Sequence, residues 1–224
     1  MELTKTLLVF GATGQTGRHF TRLALEQGYR VRAVARDPAK VTTMHPDLTV
    51  VRGSVTGEVD VDELASGTDA VVMMIGDAAL QRERTVNTDF VRRLVPAMRR
   101  QGVARLLYQA GGLSAAPGTQ LALPLRLLRA TVARQYIGQH EDNEAVMRYL
   151  SDEALDIEWM VHRAGIGSDG PSKGVLHRSS RAVSIATFED CAAYNLRTVM
   201  DASAVHTCDV SSYRSSSVDQ VQLG

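Results

Sequence analysis

Cysteine is nearly absent: Cys191 and Cys208 are the two in 224 residues, too few for a disulfide framework and suited to a reducing compartment. Excess charge of either sign is missing too, because 25 Lys and Arg stand against 25 Asp and Glu. No global field would draw such a chain onto nucleic acid or an anionic membrane, although local basic sites stay open. No apolar run reaches the ~20 residues of a spanning helix; the most apolar stretch, Leu121 to Ala133, is broken by Pro124, Arg126 and Arg129. Between Met1 and the first strand-like segment lies no signal-type apolar region. These absences lead to the expectation of a soluble, cytoplasmic protein with neither nucleic acid nor membrane as partner. Internal repeats and linkers rich in Pro, Gly or Ser are also missing, so a single domain over residues 1–224 is expected. With 44% hydrophobic and 22% charged residues, wholesale disorder is excluded.

What is present alternates. Thr6 to Phe10 is a short apolar run closed by Gly11, and from Gly14 to Gln27 the residues Phe20, Leu23 and Ala24 fall at helical spacing until Gly28 stops them. Tyr29 to Ala35 reads as a second strand, and Pro38 suits the first turn of a short helix reaching about Met44. Leu48 to Val51 and Ala70 to Ile75 are a third and a fourth strand, with Met73 and Met74 as strand core. Thr85 to Arg100 carries Phe90, Leu94, Val95 and Met98 on one stripe, Gly102 ends it, and Ala104 to Tyr108 is a fifth strand. After a break from Pro117 to Pro124, helical spacing resumes as far as Leu150, and its leucines at 121, 123, 125, 127 and 128 are expected to be core or a subunit contact. Ile157 to Val161 is a sixth strand, 165–171 a loop, Phe188 to Met200 a last helix, and the Ser-rich tail 211–224 mobile. Strands alternating with helices predict parallel pairing with right-handed crossovers, hence an α/β protein with a doubly wound parallel sheet and helices on both faces.

Gly11-Ala12-Thr13-Gly14-Gln15-Thr16-Gly17 joins the first strand to the first helix. At that place the first glycine permits a tight turn, the second lets the backbone approach a pyrophosphate, and the third lets the helix pack on the sheet. The free N–H groups and positive dipole end of the helix then meet the phosphate charge. Gly11, Thr13, Gly14, Gln15, Thr16 and Gly17 are therefore candidate dinucleotide-binding residues. Where an NAD site puts a carboxylate against the ribose 2′-OH stands Arg36, whose fork suits a 2′-phosphate, with Lys40 as a second charge. NADP(H) is the expected cofactor; the alternative is a solvated arginine beside Asp37. Ligands on open α/β sheets lie outside the carboxyl ends of the strands, which adds Ile75, Gly76, Gln109, Ala110, Gly111, Arg163, Ala164 and Ile166.

The Gly-x-x-Gly-x-x-Gly spacing resembles that of the atypical and extended short-chain dehydrogenases/reductases. Taken with Arg36-Asp37-Pro38-Ala39-Lys40, Gly76 after the fourth strand, Trp159-Met160-Val161-His162-Arg163 and the block from Ile185 to Ala192, the chain resembles the NmrA-like, biliverdin-reductase-B-like NAD(P)H-binding proteins over nearly its whole length. The resemblance implies a Rossmann-type fold with a small C-terminal substrate-side region, mainly 112–135 and 164–187, and a small-molecule substrate handled by a monomer or homodimer. It brings in Ser54 and Val55, with Ser54 where relatives have Asp in a Gly-Asp-Val block. Ala164 replaces a Pro after the arginine, and Gly111 stands where typical members have the catalytic Ser. Those members protonate substrate with the Tyr of Tyr-x-x-x-Lys; here Tyr136 is followed by His140. His140 with Glu144 also resembles the His-x-x-x-Glu of quinone-reductase-like members.

His140 and Tyr136 are accordingly the candidate catalytic residues, the histidine orienting substrate or supplying a proton near neutral pH. The competing reading is a helix-surface His140–Glu144 pair with a core or surface tyrosine. A metal site built from His140, Glu141, Asp142 and Glu144 lacks a second histidine at ligand spacing, so no metal is expected. A hydrolase elbow at Gly112 to Ala116 lacks its second glycine and leaves Ser114 as a turn residue. Three functions remain. The first is an NADPH-dependent oxidoreductase passing hydride to a small, mainly apolar acceptor such as a quinone, flavin or enone. The others are a non-catalytic NADP-binding sensor or regulator of NmrA type, and a redox-neutral isomerase or cyclase.

Overall fold

Period-two burial organises the sheet. β1 (Thr6–Phe10) sends Leu8 and Phe10 to one face and Leu7 and Val9 to the other, and all four are at most 1% exposed. This computed structural model describes residues 4–83, 85–165, 167–180 and 182–213; the expected site residue Ile166 and the stretch 214–224 lie outside the described residues. α1 (Gln15–Glu26) crosses to β2 (Arg30–Ala35), followed by β3 (Leu48–Arg52), α2 (Val61–Ala65), β4 (Ala70–Met73), α3 (Val86–Gln101) and β5 (Arg105–Gly111). Then come α4 (Leu123–Ala130), α5 (Ile137–Glu153), β6 (Glu158–Ala164), β7 (Gly167–Ser168), β8 (His177–Ser179), β9 (Ala186–Thr187), α6 (Phe188–Val199) and β10 (Cys208–Ser212).

The main sheet has eight strands in the order β3-β2-β1-β4-β5-β6-β10-β8, parallel except for β8, while β7 and β9 form a small parallel pair. It is the Rossmann-type, doubly wound α/β arrangement expected, reversing direction of travel between β1 and β4. On one face α2, α3 and α5 bury Leu64, Phe90, Leu94, Val146 and Leu150 against Phe10, Val71, Leu106 and Val161. Phe10 meets Phe90 edge-on, with ring centroids 4.9 Å apart. On the other face α1 and α6 lay Phe20, Ala24, Leu196 and Val199 on Leu7, Val9, Val72 and Met160. Among the described residues no helix is long and apolar enough to cross a membrane.

Several expectations need correction. The helix expected from Pro38 to Met44 is one turn, Pro38–Lys40, held by the Asp37 carboxylate accepting from the Ala39 N–H; it buries no residue, so no packing extends it. The helical stretch to Leu150 is split into α4 and α5. α4 buries none of its residues, so its leucines are not core in this chain, and Leu123 and Leu127 are exposed. Ser211 and Ser212 belong to β10 rather than to a tail: both are buried, and Ser211 Oγ lies 2.8 Å from His162 Nε2.

Asp142 fixes α5 to the rest. Thr85 gives α3 no side-chain cap; instead the carboxylate of Asp142, 1% exposed, accepts from the Asn87 N–H at 2.8 Å and the Thr88 N–H at 3.0 Å. It also accepts from Thr88 Oγ1 and Gln81 Nε2, each at 2.7 Å. A helix N-terminus thus receives its anion from a neighbouring helix. Asp142→Ala leaves these donors buried and unpaired, at about 1–3 kcal/mol for a single orphaned group. Urea unfolding should therefore show a loss of about 3 kcal/mol or more, with Asp142→Asn losing less.

Candidate functional site

The glycine turn forms the floor of a cleft of about 380 Å³ at the carboxyl edge of the sheet, a size typical of small-molecule sites, which run about 300–1,000 Å³. Gly11 takes φ +89°, and a Cβ there would strike the Met74 carbonyl; a Cβ at Gly17 would strike the Gly11 carbonyl. These two glycines serve the packing of turn, strand and helix. Gly14 differs: its φ of −76° suits any residue, and a Cβ would meet only the Gly11 oxygen at 3.2 Å. Its missing side chain leaves room for a ligand. α1 has no side-chain cap and no acidic residue in its first turn, so its free N–H groups face the cleft with the positive dipole end uncompensated. The turn fits a dinucleotide pyrophosphate on these grounds.

Of the expected cofactor residues, Gly11, Thr13, Gly14, Gln15, Thr16, Arg36, Ser54, Val55, Ile75, Gly76 and Gln109 all line this cleft. Arg36 reaches from the end of β2, largely exposed, with Nη1 3.5 Å from the Asp77 carboxylate. Gly17, Lys40, Ala110, Gly111, Arg163 and Ala164 fall outside the lining. Gly17 lies behind the turn, and Lys40 stands on the 3-10 turn after β2. Ala110 is strand core. The half-buried Arg163 donates from Nε to the Cys208 carbonyl at 3.1 Å and from Nη1 to the Ser114 carbonyl at 3.3 Å, tying β6 to β10 and to the loop after β5. Ala164 joins that tie, its carbonyl accepting from the Gly112 N–H at 2.5 Å.

The candidate catalytic pair is not brought together in the cleft. Tyr136 sits on a 3-10 turn before α5 and is 41% exposed. His140 is buried and does not line the cleft; it packs against Gly111 of β5, where a Cβ would be 3.8 Å from its Nδ1. The His140–Glu144 pair expected from helical spacing is replaced by a nonlocal one, because Glu144 pairs with Arg129 of α4 and accepts from the Ala115 N–H at 2.8 Å. Both ring nitrogens of His140 are buried and have no hydrogen-bond partner among the described residues. Burial, and after it the nearby Arg129 charge, push its pKa down to about 4, against a weaker upward pull from Glu144. It is neutral at neutral pH.

Three polar cleft residues escaped the sequence reading. Asp77 faces Arg36, Thr56 follows the expected Ser54-Val55 pair, and Gln139 places its amide 2.5 Å from where a Cβ of Gly76 would be. No motif marks any of them; the nearest signal was that Gln139 precedes His140. Among the residues lining the cleft there is no Tyr, His, Lys or Cys.

The sequence pattern of the NAD(P)H-binding domain family matches residues 11–190. Over 115 residues, 46% of this chain and 31% of the other, the sequence is 33% identical to a 3-beta-hydroxysteroid dehydrogenase of Mycolicibacterium neoaurum. The matched stretches span less than a third of the length of the curated relatives. In structure the chain is similar to the oxidoreductase ylbE of Lactococcus lactis, with TM-score 0.74 and 16% identity over 92% of this chain and 90% of that one. It is also similar to a short-chain dehydrogenase/reductase of Veillonella parvula solved with NADP, with TM-score 0.69 and 14% identity over 93% and 94%. At such identities the likeness is one of fold.

Two outcomes are expected from this geometry. Gly14→Val should fold, by circular dichroism, and lose dinucleotide binding, because its branched side chain occupies the phosphate approach; Gly17→Ala should instead destabilise the fold itself. Normal affinity in folded Gly14→Val would remove the turn from the site. The second outcome concerns pH. Burial also lowers His162 to about 4, so both histidines stay neutral in the folded protein while the unfolded chain takes up protons near 6.5. The unfolded state binds more protons between those values, so stability is complete above about pH 6.5 and falls as pH drops towards 4. Unfolding midpoints across that range check it, and His140→Leu should flatten the slope.

Proposed function

Because this chain belongs to the NAD(P)H-binding domain family, we propose that it is an NADPH-dependent oxidoreductase that transfers hydride to a small, mainly apolar acceptor such as a quinone, flavin or enone. The observation that carries the cofactor reading is the bare N-terminus of α1 opening onto a cleft whose far rim holds Arg36. Bound there, NADPH supplies the hydride. The chain's own part is to hold and shield. Gly14 and the first-turn N–H groups receive the pyrophosphate, and Arg36 receives the 2′-phosphate with a planar fork. Asp77 competes for that same guanidinium and repels the anion.

The acceptor class is supported by what the cleft lining lacks. Without a Tyr, His or Lys among the lining residues, reduction of an unactivated carbonyl would have no general acid, whereas a quinone or flavin takes hydride with little proton assistance. Exposed Leu123, Leu127, Tyr136 and Ile137 lie on α4 and around the start of α5, close in sequence to the cleft residue Gln139, and offer apolar surface to such an acceptor. The partial identity with a hydroxysteroid dehydrogenase supports an apolar substrate in the same sense. The same lack of an acid also favours a second reading, an NADP-binding sensor that turns nothing over.

NADPH should bind at least tenfold tighter than NADH, about 1.4 kcal/mol, and Arg36→Ala should remove the preference while Asp77→Asn strengthens NADPH binding. Calorimetry with both cofactors checks this, and equal affinities in wild type would sink the Arg36 assignment. NADPH oxidation across a panel of quinones, flavins and enones separates the two readings: turnover supports the oxidoreductase, and binding without turnover supports the sensor.

A further inference from the structure

A buried polar chain runs from the cleft wall into the body of the protein. It begins at Gln109 of β5, which lines the cleft, and continues through Asn195 of α6 and His162 of β6 to Ser211 of β10. Asn195, His162 and Ser211 are each at most 1% exposed. Asn195 Nδ2 donates to Gln109 Oε1 at 2.6 Å, Asn195 Oδ1 lies 2.6 Å from His162 Nδ1, and Ser211 Oγ lies 2.8 Å from His162 Nε2. Beside them Ala192, Leu196 and Val199 fill the same layer with apolar side chains. Polar groups in such a layer are costly unless each has its partner, and here each has one.

An amide has a direction, so the polarity of the chain is set as a unit. With Asn195 Oδ1 facing the ring, His162 carries its proton on Nδ1, and the Ser211 hydroxyl donates to Nε2. Asn195 Nδ2 then serves Gln109 Oε1, with the weak acceptor Met74 Sδ 3.5 Å away. Gln109 is left with its NH₂ for the cleft, where Thr16 Oγ1 lies 3.5 Å off. Reversing every member would set the Asn195 oxygen against the Met74 sulfur, two acceptors together. We infer that Asn195 and His162, which do not line the cleft, are positioning residues that hold Gln109 as a hydrogen-bond donor towards the bound dinucleotide. In the sheet β5 lies on the other side of β1 from β2 and Arg36, so the oxygen that Gln109 meets is on the nicotinamide half. The inference rests on the cofactor reading above.

The test uses the full chain. Nitrogen-15 NMR of wild type should show His162 protonated on Nδ1 and bare on Nε2. Asn195→Asp keeps the shape and the acceptor for His162 but offers Gln109 an oxygen, so Gln109 turns its NH₂ inward and its own oxygen to the cleft. NADPH affinity should fall at least tenfold. Gln109→Leu, a change at the cleft wall, should give a similar loss, and adding Asn195→Asp to it should change affinity less than twofold, whereas a merely structural role for Asn195 would make the losses multiply. An Nε2–H tautomer in wild type, unchanged affinity in Asn195→Asp, or multiplying losses overturns the inference alone. Absence of NADPH binding by wild type overturns the cofactor reading with it. If Asn195→Asp does not fold, the tautomer and the Gln109→Leu affinity still decide.

Discussion

The carboxylate of Asp142 holds the candidate site in place. Among the described residues its hydrogen bonds come from two backbone N–H groups of α3, the Thr88 hydroxyl and the Gln81 amide. One buried charge thereby completes the start of α3, secures the turn at Leu80–Arg82 and sets the height of α5 along the sheet. The backbone of α5 then comes so close to that turn that Gly138 has no room for a Cβ beneath the Gln81 carbonyl. Gln139 is next in the chain and points into the cleft, and His140 follows behind Gly111. Neighbouring polar groups extend the arrangement: Asn87 donates to Tyr108 at 2.9 Å, and the Tyr108 hydroxyl donates to Asn143 at 2.5 Å. The desolvation of Asp142 is offset by directed donors, so the position of α5 is specified by hydrogen bonds and not by apolar fit alone.

The two ends of the cleft are built on different principles. At the phosphate end the backbone does the work, since glycines remove side chains and α1 offers N–H groups that no side chain caps. Elsewhere side chains line the cleft: the Arg36–Asp77 pair, the Ser54 and Thr56 hydroxyls, the Gln109 and Gln139 amides and apolar groups, without a Tyr, His, Lys or Cys. A site of this kind is suited to holding a dinucleotide in a fixed position, which leaves the electronics to the cofactor.

Much of this was legible in the residues. The glycine turn was, because each of its glycines answers to a steric or electrostatic need that no other residue meets; β1, β4, β5 and β6 were, because buried parallel strands are short apolar runs, and the less buried β2 and β3 showed through their β-branched residues. β10 was not: Ser211 and Ser212 read as the start of a Ser-rich tail, and the strand's burial comes from nonlocal partners, with Ser211 on His162 and the strand paired to β6 and β8. The His140–Glu144 expectation failed for a related reason. Helical spacing brings the two side chains within reach, but Arg129, fifteen positions before Glu144, takes the carboxylate first. Asp77 and Gln139 had no signature because their role comes from where the fold sets them.

The polar chain behind Gln109 also has a consequence for synthesis. Its members lie at positions 109, 162, 195 and 211, so a ribosome has made the glycine turn, β1 to β6 and most of the two apolar faces before the last partner of His162 emerges. Until β10 docks beside β6, that imidazole has no Nε2 partner in a layer that should exclude water. The nascent protein is therefore expected to keep the neighbourhood of β6 loose while its N-terminal side condenses, and the insertion of one polar strand between β6 and β8 joins the sheet and completes the polar wire in the same event.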